Sequence, residues 1–293
     1  MVWTLEKATI WAKDKLQKAH ISTFELDTDV LLAHAINRPR RFVFTYPDFQ
    51  IPLENIEVFQ KLIFRRAKRE PIHYILKNRE FWSLEFFVDS NVLIPRPETE
   101  HLIDHFLELE RSQENKKSSL EVLDIGVGSG NISITVLKEL PLAQVTAIDI
   151  SENALEVAKR NAKNHGVLNR IQFCLGDLFP EGDLFPGQFD FILSNPPYIA
   201  SSEFDFLEPE ITCFEPRVAL ISGKTGLEVY ERLISESLLR LKIGGFLILE
   251  IGDGQLEQVK RLIDQSEEFG EVFTVFDYAG KPRTISARRK ING

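Results

Sequence analysis

The sequence predicts an α/β protein, with a doubly wound and largely parallel sheet preceded by a small helical bundle. Three observations predict it. Apolar residues recur at helical spacing through the first 75 residues. From Leu120 onward, short strand-forming runs alternate with helix-patterned stretches. The chain then ends on two strand-like runs about a Gly-Lys-Pro turn. Alternation of this kind implies parallel strands with crossover helices, here closed by an antiparallel edge.

Three segments are expected: a helical domain over 1–75, a β-hairpin linker over 76–92 and the sheet domain over 93–293. In the first, Leu5, Ala8, Thr9, Ala12 and Leu16 share one helix face, and Val30, Leu31, His34 and Ala35 share another. A third helix is predicted from Leu53 to Arg69, with Val58, Leu62 and Ile63 turned inward and Pro71 beyond its end. The aromatic stretch Arg79 to Val88 reads as a short hairpin. In Ile94-Pro95-Arg96-Pro97-Glu98-Thr99-Glu100 the prolines force extended backbone, after which a helix runs from near Glu98 to about Leu109. Arg111 to Ser119 is polar and reads as a loop.

The sheet domain follows in order. Strands are expected at Leu120–Ile125, Val145–Asp149, Ile171–Cys174, Phe189–Ser194 and Phe246–Ile251. Helices are expected at Ile132–Leu140, Ala154–Asn164 and Leu227–Leu241, with a turn at Gly244-Gly245. Val272–Phe276 and Arg283–Ala287 form the closing hairpin. No internal repeat is present.

Composition narrows the function classes. With 293 residues, 43% hydrophobic and 27% charged, the chain is long enough for two cores and ordinary for a globular protein. No apolar run has the length of a membrane span, and the charges among the first twenty residues argue against a secretory signal. Two cysteines, Cys174 and Cys213, give no disulfide framework, so a cytoplasmic home is expected. The net charge of −9 argues against a protein that grips duplex DNA along its phosphates. Basic residues cluster at Arg38, Arg40 and Arg41 and at Arg65, Arg66, Lys68 and Arg69. Each cluster reads as a solvated helix face, and the two together as a candidate docking surface for an acidic partner or RNA.

Chemistry concentrates in two places. Asp124-Ile125-Gly126-Val127-Gly128-Ser129-Gly130 sits at a strand end and opens a helix, where glycines admit a ligand to free backbone amides. Its spacing is G-x-G-x-G, whereas a dinucleotide fingerprint is G-x-G-x-x-G. Asp124 would repel a pyrophosphate but can meet a cationic group such as an amino-acid ammonium, directly or through water. Asp149 ends the next strand, where an acid accepts from ribose hydroxyls. Asp177-Leu178 follows the third strand, within reach of an adenine ring. Three acids around a glycine loop suit S-adenosyl-L-methionine, which carries a sulfonium and an ammonium.

Asn195-Pro196-Pro197-Tyr198 follows the fourth strand, at the crevice where such sheets bind ligands. An amide nitrogen is a poor nucleophile because its lone pair is delocalised, so a site that methylates one must hold its N–H groups and stabilise developing positive charge. The Asn195 side-chain carbonyl and the Pro196 backbone carbonyl suit that task. Pro196 and Pro197 stiffen the loop, and Tyr198 offers a flat face for stacking.

At these residues the chain resembles the PrmC/HemK release-factor glutamine methyltransferases. The likeness also takes in Ile94 to Glu100, Phe214-Glu215-Pro216-Arg217-Val218-Ala219-Leu220, Gly244-Gly245 and Gly280-Lys281-Pro282-Arg283, and covers roughly 70 to 290. The resemblance implies a Rossmann-like class I S-adenosylmethionine-dependent methyltransferase with an N-terminal helical recognition domain. It further implies that Gly126, Val127, Gly128, Ser129, Gly130, Asp149 and Asp177 hold the methyl donor, with Leu178 beside the adenine and Asn195 adjoining. Asn195, Pro196, Pro197 and Tyr198 would hold the glutamine amide of the Gly-Gly-Gln tripeptide in class 1 peptide-chain release factors. Asn195, Pro196 and Tyr198 would be catalytic. Val127 stands where the family commonly has threonine, and Lys77 where it has glycine.

Other features are read as structural. His101 and His105 have metal-ligand spacing, but Leu102 stands where a zincin has glutamate and no third ligand is evident, so no metal is expected. Glu250 and Asp253 flank a glycine loop after a strand, and Cys174 sits inside a strand as a small apolar residue. Expected, then, is a cytoplasmic monomer acting on a protein, without stable nucleic-acid or membrane binding. The rival readings are DNA adenine-N6 methylation, which uses the same acceptors on a flipped base, and a non-catalytic RNA- or ribosome-binding protein.

Overall fold

The computed structural model describes residues 2–113, 119–179 and 189–291. The chain divides into two compact units, Met1–Asn78 with Glu208–Phe214, and Arg79–Leu207 with Glu215–Gly293.

The first unit is helical. It comprises α1 (Leu5–Lys18), α2 (Phe24–Ala35), α3 (Arg40–Thr45), α4 (Leu53–Ala67) and α5 (Ile72–Leu76). Thr4 caps α1 by accepting from the Lys7 amide. Leu5, Ala8, Ala12 and Leu16 are buried as the spacing predicts. In α4 the buried stripe is Ile56, Phe59, Ile63 and Arg66, joined by Leu62. Val58 lies off that stripe and is exposed, a correction to the expected face. In α2, His34 is exposed too, because Leu31, Leu32 and Ala35 already fill the side turned to the core. Each fully buried Leu or Phe contributes about 1.5–3 kcal/mol.

The second basic cluster proves to be an internal network. Arg66 is buried and donates to Asp27 at 2.7 Å and to Glu210 at 3.0 Å. Arg69 donates to Glu210 at 2.8 Å and to Glu208 at 2.7 Å, and Arg65 pairs with Glu70. Segment Glu208–Phe214 therefore belongs with the helices, although it lies more than 130 residues downstream. The docking reading fails for these arginines because carboxylates of their own unit already hold them. Lys68 remains exposed.

The second unit opens with the hairpin β1 (Arg79–Phe81) and β2 (Leu84–Phe86), paired antiparallel. A 3-10 turn, Pro97–Thr99, leads into α6 (Glu100–Ser112). The site-bearing sheet then forms from β3 (Glu121–Ile125), α7 (Asn131–Glu139), β4 (Gln144–Asp149), α8 (Glu152–Asn164), β5 (Ile171–Leu175) and β6 (Phe189–Ser194). The short α9 (Pro209–Phe214), counted with the first unit, comes next in the chain. After it follow α10 (Glu228–Ser237), β7 (Leu241–Glu250), α11 (Leu256–Asp264), β8 (Phe269–Phe276) and β9 (Pro282–Arg289). Strand order is β5-β4-β3-β6-β7-β9-β8, parallel from β5 to β7 and antiparallel beyond. Both the parallel core and the antiparallel edge match the expectation.

Period-two alternation sorts the strand residues onto two faces. Val122, Val145, Phe191, Leu193, Phe246 and Ile248 pack with α6, α7 and α8. Leu123, Ile125, Ile192, Leu247, Leu249 and Ile285 pack with α10 and α11. Gly244-Gly245 is not a turn between elements but an irregularity inside β7, and α10 ends at Ser237, short of Leu241. Gly245 lies so close to β6 that a Cβ there would stand 2.8 Å from the Asp190 carbonyl oxygen. Glycine therefore lets the strand continue where any other residue would break it.

Candidate active site

The strand order reverses direction beside β3: the chain moves outward through β4 and β5, then returns to place β6 on the other flank. The carboxyl ends of β3 and β6 thus frame a crevice of the kind that binds ligands in open α/β sheets. A cleft of about 220 Å³ lies there, open to solvent on one side. Gly126, Val127, Gly128 and Ser129 from the glycine loop line it, with Asp149, Asp177, Leu178, Asn195 and Pro197.

The loop is shaped by its glycines and fixed by its neighbours. Gly126, Gly128 and Gly130 all have positive φ, which only glycine adopts without strain. The Gly126 and Val127 amides donate to the Ile148 carbonyl, and the Gly128 amide donates to Asp149 at 2.9 Å. Asn161, buried in α8, donates to the Ser129 carbonyl at 2.8 Å and bonds both ways with the Phe87 backbone. Gly130 does not line the cleft. A Cβ there would meet Ile134 at 3.0 Å and Ala158 at 3.3 Å, so it serves the close packing of α7 on α8.

Asp149 accepts from the Gly128 and Ser151 amides through different oxygens and keeps lone pairs toward the cleft. Burial raises its carboxyl above the usual range, opposed by those amide donors. Asp177 is paired with Arg232 at 2.9 Å. Leu178 and the half-exposed Ile150 supply apolar walls.

Asp124 departs from expectation. It is fully buried, does not line the cleft, and accepts from the Ser133 amide at 3.1 Å and hydroxyl at 2.5 Å. The strand end turns its side chain under α7, where it ties the helix start to β3. Burial pushes its carboxyl up to about 7.

Asn195 lies at the junction of cleft and core. Its Nδ2 donates to Thr99 Oγ1 at 3.0 Å, and among the described residues its Oδ1 accepts no hydrogen bond. Pro197 lines the cleft, whereas Pro196 is buried and Tyr198 packs against the α10–α11 side of the core. The Tyr198 carbonyl accepts from Gln255, and burial pushes its phenol up to about 12, so the ring is neutral at physiological pH.

Several cleft residues were visible in the sequence without an assignable role. Asn91, Pro95, Arg96, Thr99, Pro216 and Val218 line the cleft. Glu215, buried, joins the two stretches by accepting from the Ile94 amide at 3.3 Å and from Arg96 at 2.5 Å. The signal lay in the stretches Ile94 to Glu100 and Phe214 to Leu220, but sequence order could not show that they meet. His105 bonds Ser286 at 2.7 Å in the core, and Asp253 pairs with Lys281. Cys174 is only partly buried on edge strand β5.

The fold and this cleft define a methyltransferase domain. Residues 99–208 match the Methyltransferase small domain family and residues 7–76 the PrmC N-terminal domain. Among solved structures, the hMettl16 catalytic domain bound to an RNA hairpin superposes with a TM-score of 0.58 at 17% identity, over 77% of this chain and 80% of that one. A methyltransferase from Pyrococcus furiosus superposes with a TM-score of 0.53 at 18% identity, over 78% and 99%. These likenesses concern the fold. The chain belongs to the release factor glutamine methyltransferase family. It is 40% identical over 289 residues to the Rhodopirellula baltica member, covering 98% of this chain and 97% of that protein. The Geobacter sulfurreducens member is 38% identical over 290 residues, with the same two coverages of 98% and 97%.

Proposed function

We propose that this protein transfers a methyl group from S-adenosyl-L-methionine to the side-chain amide nitrogen of the glutamine in the Gly-Gly-Gln motif of class 1 release factors. Its near-full-length relatives are named for release factor glutamine methylation, which supports the substrate class. The observation that carries the reading is Asn195, an amide whose oxygen is free in a cleft built on the glycine loop and Asp149.

The cleft suits the donor. Asp149 offers lone pairs for ribose hydroxyls, Leu178 and Ile150 offer apolar walls, and the glycine loop leaves open space where side chains would stand. S-adenosyl-L-methionine supplies, when bound, a methyl group made electrophilic by its sulfonium. The chain's own residues do the rest. Asn195 Oδ1 and the Pro196 carbonyl accept from the substrate NH₂ and stabilise positive charge as the N–CH₃ bond forms and the S–CH₃ bond breaks. The proton displaced from nitrogen leaves to solvent. Tyr198 stiffens the loop from the core side, and positioning carries most of the acceleration. The helical unit recognises the release factor. On this reading the enzyme acts as a cytoplasmic monomer, and among the described residues no helix is long and apolar enough to cross a membrane.

The test is transfer of labelled methyl from S-adenosyl-L-methionine, with purified release factor and unmethylated duplex DNA offered in parallel. Label on the factor alone is expected. Label on DNA alone would move the reading to adenine methylation.

A further inference from the structure

Nothing in the reaction above uses Thr99 or Glu250, yet both are buried polar residues in line with Asn195. Thr99 is 1% exposed and Glu250 2%. The Thr99 hydroxyl donates to Glu250 Oε2 at 2.6 Å and accepts from Asn195 Nδ2 at 3.0 Å. These groups come from three places in the fold: the 3-10 turn before α6, the end of β7 and the loop after β6.

A hydroxyl carries a single proton. When Glu250 is ionised it takes that proton, so Thr99 turns only lone pairs toward Asn195. Those lone pairs select the NH₂ edge of the Asn195 amide. The two edges of an amide have nearly the same shape, so its hydrogen-bond partners decide which way it faces. Turned over, Asn195 would present donors to the donors of a substrate NH₂.

We propose that Thr99 and Glu250 are positioning residues, a relay that holds the Asn195 amide with its oxygen toward the substrate nitrogen. The relay rests on the methyl-transfer reading above. It also gives the stretch Ile94 to Glu100 a role in the chemistry, through Thr99.

The relay is sensitive to protonation. Burial pushes the Glu250 carboxyl up to about 7 against the Thr99 hydrogen bond, which lowers it; the nearby Glu98 raises it further, and Arg283 and Arg96 lower it. The Tyr198 and Tyr230 phenols also face it, and Tyr230 donates to the Glu250 backbone carbonyl. Once protonated, the carboxyl donates to Thr99, and the Thr99 proton is freed to turn toward Asn195. That proton now favours Oδ1 on the inner side. Turnover should therefore fall as pH drops through about 7.

The experiment compares wild type, Thr99→Val, Thr99→Ser and Glu250→Gln in methylation of purified release factor at saturating donor across pH, with donor affinity measured by calorimetry. Thr99→Val should lose about 10- to 100-fold in kcat while KM for the factor and donor affinity change little. Thr99→Ser should recover most of the rate. Glu250→Gln, which cannot ionise, should lack the acid limb. Should the valine variant not fold, the serine and glutamine variants carry the test. A valine variant at wild-type kcat, a serine variant as slow as valine, or an unchanged acid limb in Glu250→Gln would overturn the relay. Wild type that binds donor but leaves the factor unmethylated would overturn the transfer reading itself, and the relay with it.

Discussion

Asp124 stands two residues before the first glycine of the loop, and its role turns on burial. From sequence its charge matched a cationic ligand; in the fold it caps Ser133 beneath the loop. Its carboxyl is pushed up to about 7, so the folded state binds a proton that the unfolded chain has already released at that pH. Stability from this group is present at low pH and is lost as pH rises toward and through about 7. Asparagine keeps an acceptor for Ser133 and cannot ionise. Asp124→Asn should therefore gain on wild type between about pH 4 and pH 7 in denaturant unfolding. A constant gap between the two proteins across that range would contradict the assignment. The acidic residue was legible; which side of the loop it served was not, because one-residue differences in strand register decide whether a side chain meets cleft or core.

At the scale of elements, positive-φ positions give the sharpest expectations. Lys77, which ends α5, has φ +59°, the conformation that glycine adopts freely. A left-handed non-glycine residue costs about 1–2 kcal/mol, so Lys77→Gly should raise Tm by a few degrees, by thermal unfolding. Gly130 runs the other way. Its φ is +84° and a Cβ would crowd Ile134 and Ala158. Gly130→Ala should destabilise by about 1–3 kcal/mol through strain and overpacking, measured in urea. The five parallel strands were readable because each is a short apolar run bounded by turns; β3, β4, β6 and β7 are buried on both faces, and the edge strand β5 only partly. The faces of α2 and α4 were read less well. Val58 and Phe59 are adjacent apolar residues, and only packing shows that Phe59 points inward. Gly244-Gly245 resembled a turn because the sequence carries no mark of the close approach to Asp190 that makes it a bulge.

At the scale of the whole molecule, the helical unit is completed by a segment from far along the chain. Arg66 is buried between Asp27 and Glu210. Removing the arginine leaves two carboxylates without their buried partner, a loss of about 3–5 kcal/mol. Arg66→Ala should accordingly raise hydrogen exchange in α2, in α4 and at residues 209–214. Exchange raised in α4 alone would mean that Glu210 does not depend on it. This closure was not legible, since four basic residues among five at the end of a helix look the same whether water or carboxylates cover them. Most of the site was legible: the glycine loop, Asp149 and Asn195 share a cleft as their strand positions predicted, while Thr99, Glu215 and Glu250 needed the tertiary structure. The most direct measurement is mass spectrometry of release-factor peptides after reaction with wild type and with Asn195→Ala, alongside donor binding. One added methyl on the Gly-Gly-Gln glutamine with wild type, and none with an Asn195→Ala variant that still binds donor, is the predicted result. The same methyl added by Asn195→Ala at the wild-type rate would contradict the role given to this residue and the site built around it.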